Sequence, residues 1–145
     1  MRNALPVVNV LLVEDDTIDA HAFRRAFAQI HDLDCRIQYA SSAEEAIDWR
    51  DSGFHPDLVV LDERLPGMQG SQLAREIRED PAWMAPDRRR PLVWRCSGTP
   101  LEATFDADAV LEKPVNVPSL RQALYAARLL RGTSAIVMMA LAGAT

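Results

Sequence analysis

The stretch PDLVVLDERLPGMQG, residues 56–70, decides the fold of this chain. Its first part, Asp57 to Leu61, is a short apolar run typical of a strand that is covered on both faces of a sheet. The strand is followed by Asp62, and the Pro and Gly residues of 65–70 predict a loop. An acid at the end of a buried strand is well placed for a site at the edge of a parallel sheet.

Similar apolar runs lie on both sides of this stretch and alternate with segments of helical periodicity. The predicted strands are Val7 to Val13, Cys35 to Ala40, Asp57 to Leu61, Pro91 to Cys96 and Ala107 to Leu111. The predicted helices begin at Asp16-Thr17, at the capping box Ser42 to Glu45, at Ser71 and at Asn116. This alternation predicts an α/β fold, with a parallel sheet, right-handed crossovers and helices on both faces.

Length and composition fit one domain with a single core. The chain has 145 residues, of which 48% are hydrophobic. Its formal net charge of −5 argues against nucleic acid as a partner, because nucleic-acid-binding domains carry a basic balance. No apolar run approaches the roughly 20 residues that cross a bilayer. We therefore expect a cytoplasmic protein without a membrane partner.

Polar residues follow the predicted strands and would meet at one edge of the sheet. They are Glu14-Asp15-Asp16, Asp62, Ser97 and Glu112-Lys113-Pro114. Asp16 is also the expected N-cap of the first helix. Clustered carboxylates repel each other, and Mg²⁺ relieves this repulsion because it binds one or two carboxylates together with phosphate and water. With Lys113 as a compact cation, the set predicts phosphoryl transfer to an Asp.

Four segments, in this order, resemble the receiver domain of bacterial two-component response regulators. They are V-E-D-D (13–16), P-D-L-V-V-L-D-x-x-L-P-G-M-x-G (56–70), Ser97-Gly98 and L-E-K-P-V (111–115). The resemblance covers roughly residues 8 to 131 and implies a flavodoxin-like, doubly wound, five-stranded sheet in the order 2-1-3-4-5. The start E-D-D-x-x-D-x-x-x-x-x-R-A and the long link after the third helix are similar to receivers that partner bacterial phytochrome kinases.

The resemblance implies a magnesium site. Asp15, Asp62 and the backbone carbonyl of Arg64 would bind Mg²⁺ directly, and Glu14 would act through a metal-bound water. Asp62 would take a phosphoryl group from a phosphohistidine. The donor would be a sensor histidine kinase, a phytochrome being one candidate, or a phosphotransfer protein.

The resemblance also implies how the phosphoryl group is sensed. Lys113 would pair with a phosphoryl oxygen, and a cis peptide bond at Pro114 would aim it. The Ser97 hydroxyl would move to the phosphate and switch a protein-interaction surface. Lys113 is the only lysine among sixteen basic residues. We interpret it as an ammonium that a planar guanidinium cannot replace, so Lys113→Arg should keep the fold and lose this switch.

Two features depart from the family pattern. Val110 stands where the family usually has Tyr or Phe, so an aromatic rotamer switch cannot operate there. Ser97 and Lys113 lie only 16 positions apart (113 − 97). The family usually has about six residues more between these positions, which is about one and a half helical turns at 3.6 residues per turn. The fourth helix of the family is therefore predicted to be shortened or absent. Without that helix, one face of the fourth strand would be left open to water. Arg95 in this strand would then reach water through this opening.

We predict a receiver domain over residues 1–132 and an apolar C-terminal tail over 133–145. Eight apolar residues, 135–142, are expected to cover the opening in their own chain or to pack on a second subunit, as in a homodimer. Both arrangements stay open. We expect a single-domain response regulator. Its output would be a protein–protein contact, a change in dimerisation, or the transfer of phosphoryl groups in a relay.

Two alternatives are weighed against this hypothesis. A degenerate receiver would act as an interaction module without phosphate. A small aspartyl-phosphate phosphohydrolase would also use a strand-end Asp, Mg²⁺ and Lys, but it needs a second acid two residues after the nucleophile. Arg64 stands at that position. We therefore expect a phosphoacceptor that takes part in its own phosphoryl transfer and slow dephosphorylation, and not an enzyme.

Overall fold

The computed structural model describes residues 4–98, 107–127 and 129. Strands and helices alternate through most of these residues, as predicted. Their order is β1 (Val7–Val13), α1 (Thr17–Ala28), β2 (Asp34–Ala40), α2 (Ala43–Asp51), β3 (Leu58–Asp62), α3 (Gly70–Glu79), a 3₁₀ turn (Pro81–Trp83), β4 (Leu92–Ser97), β5 (Ala109–Glu112) and α4 (Val117–Ala126).

The five strands form one parallel sheet in the order β2-β1-β3-β4-β5, which confirms the predicted doubly wound fold. Val13 pairs with Leu61, and Ser97 pairs with Glu112, so β1 ends beside β3 and β4 ends beside β5. The carboxyl ends of these four strands therefore lie on one edge of the sheet. This edge, called the site edge below, positions the residues after each strand.

Helices cover both faces of the sheet, which explains why the strands are apolar along their whole length. Val10 and Leu12 of β1 face the core layer that contains the buried residues of α1 and α4. Leu11 and Val13 face the layer that contains those of α2 and α3. Successive side chains of a strand point to opposite faces, so a strand covered on both sides needs an apolar residue at nearly every position.

The helices begin where the capping residues predict. Asp16 caps α1, Ser42 caps α2 and Asn116 caps α4, each by accepting hydrogen bonds from backbone N–H groups of the first turn. At α3 the side chain of Gln72 accepts a hydrogen bond from the backbone N–H of Gln69 at 3.1 Å. These caps fix the direction in which each helix leaves the site edge.

The prediction that Arg95 reaches water is wrong. β4 is a central strand between β3 and β5, and its residues Val93 to Ser97 are all buried. The side chain of Arg95 is 1% exposed. The predicted shortening of the family's fourth helix concerns residues 99–106, and the predicted tail is residues 133–145. Both ranges lie outside the described residues.

Within residues 4–98, 107–127 and 129, no helix has the length and apolar character needed to cross a membrane.

Candidate functional site

One ammonium and three carboxylates meet at the site edge. The Lys113 Nζ lies 2.7 Å from Glu14 Oε2, 3.0 Å from Asp19 Oδ2 and 3.2 Å from Asp62 Oδ1. The side chain of Glu14 is 1% exposed, and those of Asp62 and Lys113 are 13% and 14% exposed. The sheet thus brings together residues from three separate parts of the chain in a largely desolvated cluster.

Glu14 is held at each of its polar groups. Its backbone N–H donates to the Ala40 carbonyl at 3.0 Å, which extends the pairing of β1 with β2 by one residue. Its backbone carbonyl accepts from the Tyr39 hydroxyl at 2.5 Å, and its Oε1 accepts from the Asp16 N–H at 3.1 Å. With Lys113 at Oε2, this carboxylate has a fixed position.

The backbone around Asp62 and Lys113 is also tightly placed. The Lys113 N–H donates to the Ser97 carbonyl at 2.9 Å, and the peptide bond between Lys113 and Pro114 is cis. A Cβ at Gly70 would lie 2.4 Å from the Asp62 carbonyl oxygen, closer than real Cβ atoms approach. Gly70 therefore lets α3 begin directly against the end of β3.

Burial and neighbouring charges change the proton affinities in the cluster. Burial raises the pKa of Glu14 from 4.5 to about 7, and the Asp62 charge adds to this rise, although hydrogen bonds from Lys113 and Asp16 oppose it. Burial acts to lower the pKa of Lys113, but its hydrogen bonds to Glu14 and Asp19 and the charge of Asp62 outweigh burial and raise that pKa. The ammonium is therefore kept charged, while the buried Glu14 carboxylate lacks full compensation.

Glu14, Asp15 and Asp62 form a group that could hold a metal ion. One carboxylate oxygen from each lies within 4.8 Å of the others. An all-oxygen donor set suits a hard cation such as Mg²⁺. The raised pKa of the buried Glu14 fits the same conclusion, because it marks a place where another positive charge would be stabilising.

The other predicted site residues differ in burial. Ser97, 5% exposed, lies at the end of β4 and contacts the backbone of Lys113 through its carbonyl. Asp15 and Arg64 are exposed, as is Val110, whose exposed fraction is 46%. The structure thus places the predicted residues on one edge, with Val110 on β5 to the side.

Two residues that contact the cluster were missed by the sequence analysis. Asp19 is part of the E-D-D-x-x-D start, but the motif alone gave it no role. Its contact with Lys113 spans 94 residues of sequence. Tyr39 ends near Glu14 because β2 pairs with β1, and no local pattern in the sequence pointed to this contact.

Comparison with known proteins gives one family match. Residues 10–86 match the family model of the response regulator receiver domain. This range covers the site edge from the end of β1 through α3, including Glu14, Asp19 and Asp62.

Individual relatives agree with the family match. The chain is 35% identical over 122 residues to the positive alginate biosynthesis regulatory protein of Pseudomonas aeruginosa, covering 81% of this chain and 46% of the relative. It is 38% identical over 79 residues to the response regulator sskA of Aspergillus fumigatus, covering 54% of this chain and 9% of the relative. The chain thus spans less than half the length of these curated relatives.

Among solved structures, a bacteriophytochrome response regulator superposes with a TM-score of 0.72 at 20% identity, covering 92% of this chain and 99% of that one. At this identity the likeness shows the fold alone.

Proposed function

This chain belongs to the family of response regulator receiver domains, and on that premise we propose that Asp62 accepts a phosphoryl group from a phosphohistidine. One observation carries the proposal. The Asp62 carboxylate lies beside an ammonium, Lys113, and within a group of three carboxylates that could hold a divalent cation. A phosphoryl group that arrives at Asp62 would therefore find positive charge on two sides.

The transfer forms one bond and breaks one. A carboxylate oxygen of Asp62 attacks the phosphorus, the new O–P bond forms, and the N–P bond of the phosphohistidine breaks. Its electron pair stays with the imidazole nitrogen of the donor. Lys113 donates a hydrogen bond to a phosphoryl oxygen, and Gly70 lets α3 begin directly against the Asp62 backbone.

Mg²⁺ would be held by Asp15, Asp62 and the backbone carbonyl of Arg64, with Glu14 acting through a bound water. When bound, the ion neutralises negative charge on the phosphoryl oxygens. The switch would pass through the Ser97 hydroxyl. An aromatic rotamer plays no part in it, because position 110 is Val.

We propose a sensor histidine kinase in the cytoplasm as the phosphoryl donor. The start E-D-D-x-x-D-x-x-x-x-x-R-A, which is similar to receivers that partner bacterial phytochrome kinases, supports a phytochrome kinase as one candidate. The net charge of −5 favours a protein over nucleic acid as the downstream partner. On this proposal the chain is a phosphoacceptor, not an enzyme, and loses its phosphoryl group slowly.

Intact mass after incubation with Mg²⁺ and phosphoramidate tests the proposal. We expect one phosphate adduct per chain, none in Asp62→Asn, and none after Mg²⁺ is removed with a chelator. Catalytic release of phosphate without an adduct would instead favour a phosphohydrolase. No adduct with any small donor or kinase would favour a module that signals without phosphate. The thermal unfolding of Asp62→Asn is the control that the variant is folded.

A groove beside α4 supports a proposal about the C-terminal tail. It encloses about 300 Å³ and is lined by Leu92 and Trp94 of β4, Ala109 of β5, and Ala123 and Ala126 of α4, among others. Within the described residues, the buried indole N–H of Trp94 has no hydrogen-bond acceptor. The lining of the groove is thus mostly apolar, and the Asp108 side chain is its charged member.

We propose that the apolar segment 135–142 fills this groove, in its own chain or in a second copy. α4 ends at the groove, and 18 residues follow Ala127 (145 − 127). The eight residues from Ala127 to the segment can extend over about 26 Å. Because Ala126 and Ala127 at the end of α4 line the groove, that reach is enough for the segment to return to it.

Deletion of residues 133–145 tests the tail. We expect a loss of stability at unchanged mass if the tail folds back on its own chain, or a loss of dimer mass if it crosses to a second copy. Ala123→Glu, which places a charge in the groove, should give the same loss and add little to the deletion. Unchanged mass together with unchanged stability in the deleted protein would contradict the proposal.

A further inference from the structure

Asp19, in the first turn of α1, has no role in the phosphoryl transfer derived above. We propose that Asp19 is a positioning residue, which holds the Lys113 ammonium at the place from which it reaches the phosphoryl group. The inference rests on the proposed function, because it assumes that Lys113 contacts a phosphoryl oxygen. It concerns the lysine itself, however, and can be tested without any phosphoryl group.

The number of donors on Lys113 makes Asp19 significant. An ammonium has three N–H groups, and three carboxylates lie within 3.2 Å of this one. Two of these, Glu14 and Asp62, also belong to the group that could hold a metal ion, whereas Asp19 does not. Asp19 is therefore the neighbour of Lys113 that has no other task at the site.

This difference matters when the site is loaded. A cation at Glu14 and Asp62 competes with Lys113 for their oxygens, and a phosphoryl group on Asp62 replaces its carboxylate as the target of the ammonium. The contact with Asp19 can persist through both changes. One N–H then stays fixed on Asp19, and the other two remain directed to the side of the cluster where Asp62 lies.

The start of α1 leaves the Asp19 carboxylate available for this contact. The Asp16 side chain caps the helix and accepts from the backbone N–H groups of Ile18 at 2.8 Å and Asp19 at 3.2 Å. Asp19 is therefore anchored through its backbone, and its side chain extends from a fixed helix start to Lys113. The backbone N–H of Lys113 donates to the Ser97 carbonyl, so both residues of the contact are anchored through their backbones.

The composition of the chain provides a direct measurement. Lys113 is the only lysine, so lysine-selective isotope labelling gives one set of side-chain NMR signals. In Asp19→Ala we expect these signals to move toward those of a free lysine and to show faster side-chain motion. In Asp19→Asn, which keeps an acceptor oxygen, they should stay near their wild-type positions.

Phosphorylation by phosphoramidate provides the second readout. Asp19→Ala should be phosphorylated about tenfold more slowly, which is the effect of one charge-assisted hydrogen bond. Asp19→Asn should recover most of that loss. The matched control is Glu45→Ala, because Glu45 holds the same position in α2 that Asp19 holds in α1. It should leave both the lysine signals and the phosphorylation rate unchanged.

Lysine signals that do not move in Asp19→Ala would overturn the proposal. So would an Asn variant as impaired as the Ala variant, since that result would assign the effect to charge and not to position. A wild-type protein that accepts no phosphoryl group would contradict the proposed function alone. The lysine signals would still decide the role of Asp19.

Discussion

Helices α1 and α2 begin alike on the site edge, but their third residues contact different partners. Each helix follows a strand, each has a capping side chain, and each has an acid at the third helical position, Asp19 in α1 and Glu45 in α2. The Glu45 carboxylate turns back and accepts hydrogen bonds from the Ser41 N–H at 2.8 Å and the Ser41 hydroxyl at 2.9 Å. The Asp19 carboxylate instead contacts Lys113.

The comparison shows that one local pattern can stabilise a helix in one place and organise a site in another. In α2 the acid satisfies donors of its own helix start, as capping acids commonly do. In α1 the single acceptor of Asp16 already serves two N–H groups, which leaves the third-position acid available. The cation that attracts it, Lys113, directly follows β5, and only the folded sheet brings the end of that strand near α1.

The largest effect should follow the removal of the Lys113 ammonium, which contacts the third residue of α1 but not that of α2. Lys113→Met keeps an apolar stem but leaves Glu14, Asp19 and Asp62 without their shared counter-charge. We expect the free energy of unfolding in metal-free buffer to fall by about 3 kcal/mol, the low end for a broken buried ion pair, because Lys113 is partly exposed. Urea unfolding measures this loss, and Mg²⁺ should reverse part of it. A variant as stable as the wild type would show that the carboxylates need no cation.

A smaller and equal effect is expected at the two capping residues. Asp16→Ala and Ser42→Ala each remove the side-chain acceptor of a helix start, and each should lower the free energy of unfolding by about 1 kcal/mol. Asp16→Ser keeps an acceptor and should be close to the wild type. Urea unfolding of all three variants checks this. If Asp16→Ala proved stabilising, relief of repulsion near the cluster would outweigh the cap.

The smallest effect is expected for Glu45→Ala, at about 0.5 kcal/mol near neutral pH. Hydrogen bonds from the Ser41 backbone and hydroxyl hold the pKa of Glu45 below its ordinary value of 4.5. A carboxyl group whose pKa is lower in the folded state stabilises the folded protein fully at any pH above its unfolded-state pKa. This stabilisation is lost as the pH falls through the folded-state pKa. The difference between variant and wild type should therefore be full above pH 4.5 and shrink in acid. A difference that grows in acid would contradict the assigned hydrogen bonds.

The sequence predicted those parts of the fold that depend on local pattern. β1 has the predicted bounds, because Val7 to Val13 is apolar along its whole length. The starts of α1, α2 and α4 follow their capping residues, Asp16, Ser42 and Asn116. Strand order and the meeting of acids with Lys113 on one edge followed from the alternation of elements and the family resemblance.

The features that escaped prediction depend on contacts distant in sequence. Arg95 is buried although a charged residue in a strand suggested an open face. Trp83 falls in the polar link after α3, yet its side chain is only 1% exposed. The guanidinium carbon of Arg50 lies over its ring, 5.3 Å from the ring centre. Asp19 was visible in a motif, but its partner Lys113 follows β5, 94 residues later in the sequence. In each case the sequence shows the residue type, but it does not show which distant residue packs against it in the folded protein.

The two core layers carry different fluorescent side chains. Trp94 lies in the layer with α1 and α4. Trp83 lies in the layer with α2 and α3, and the partly buried Trp49 packs against that layer. Emission from Trp94 therefore follows one face of the sheet, and emission from the other two follows the opposite face. In a cooperative domain the two transitions coincide. Variants with Trp94 alone, or without it, turn the two faces of this sheet into separate optical signals of a single unfolding event.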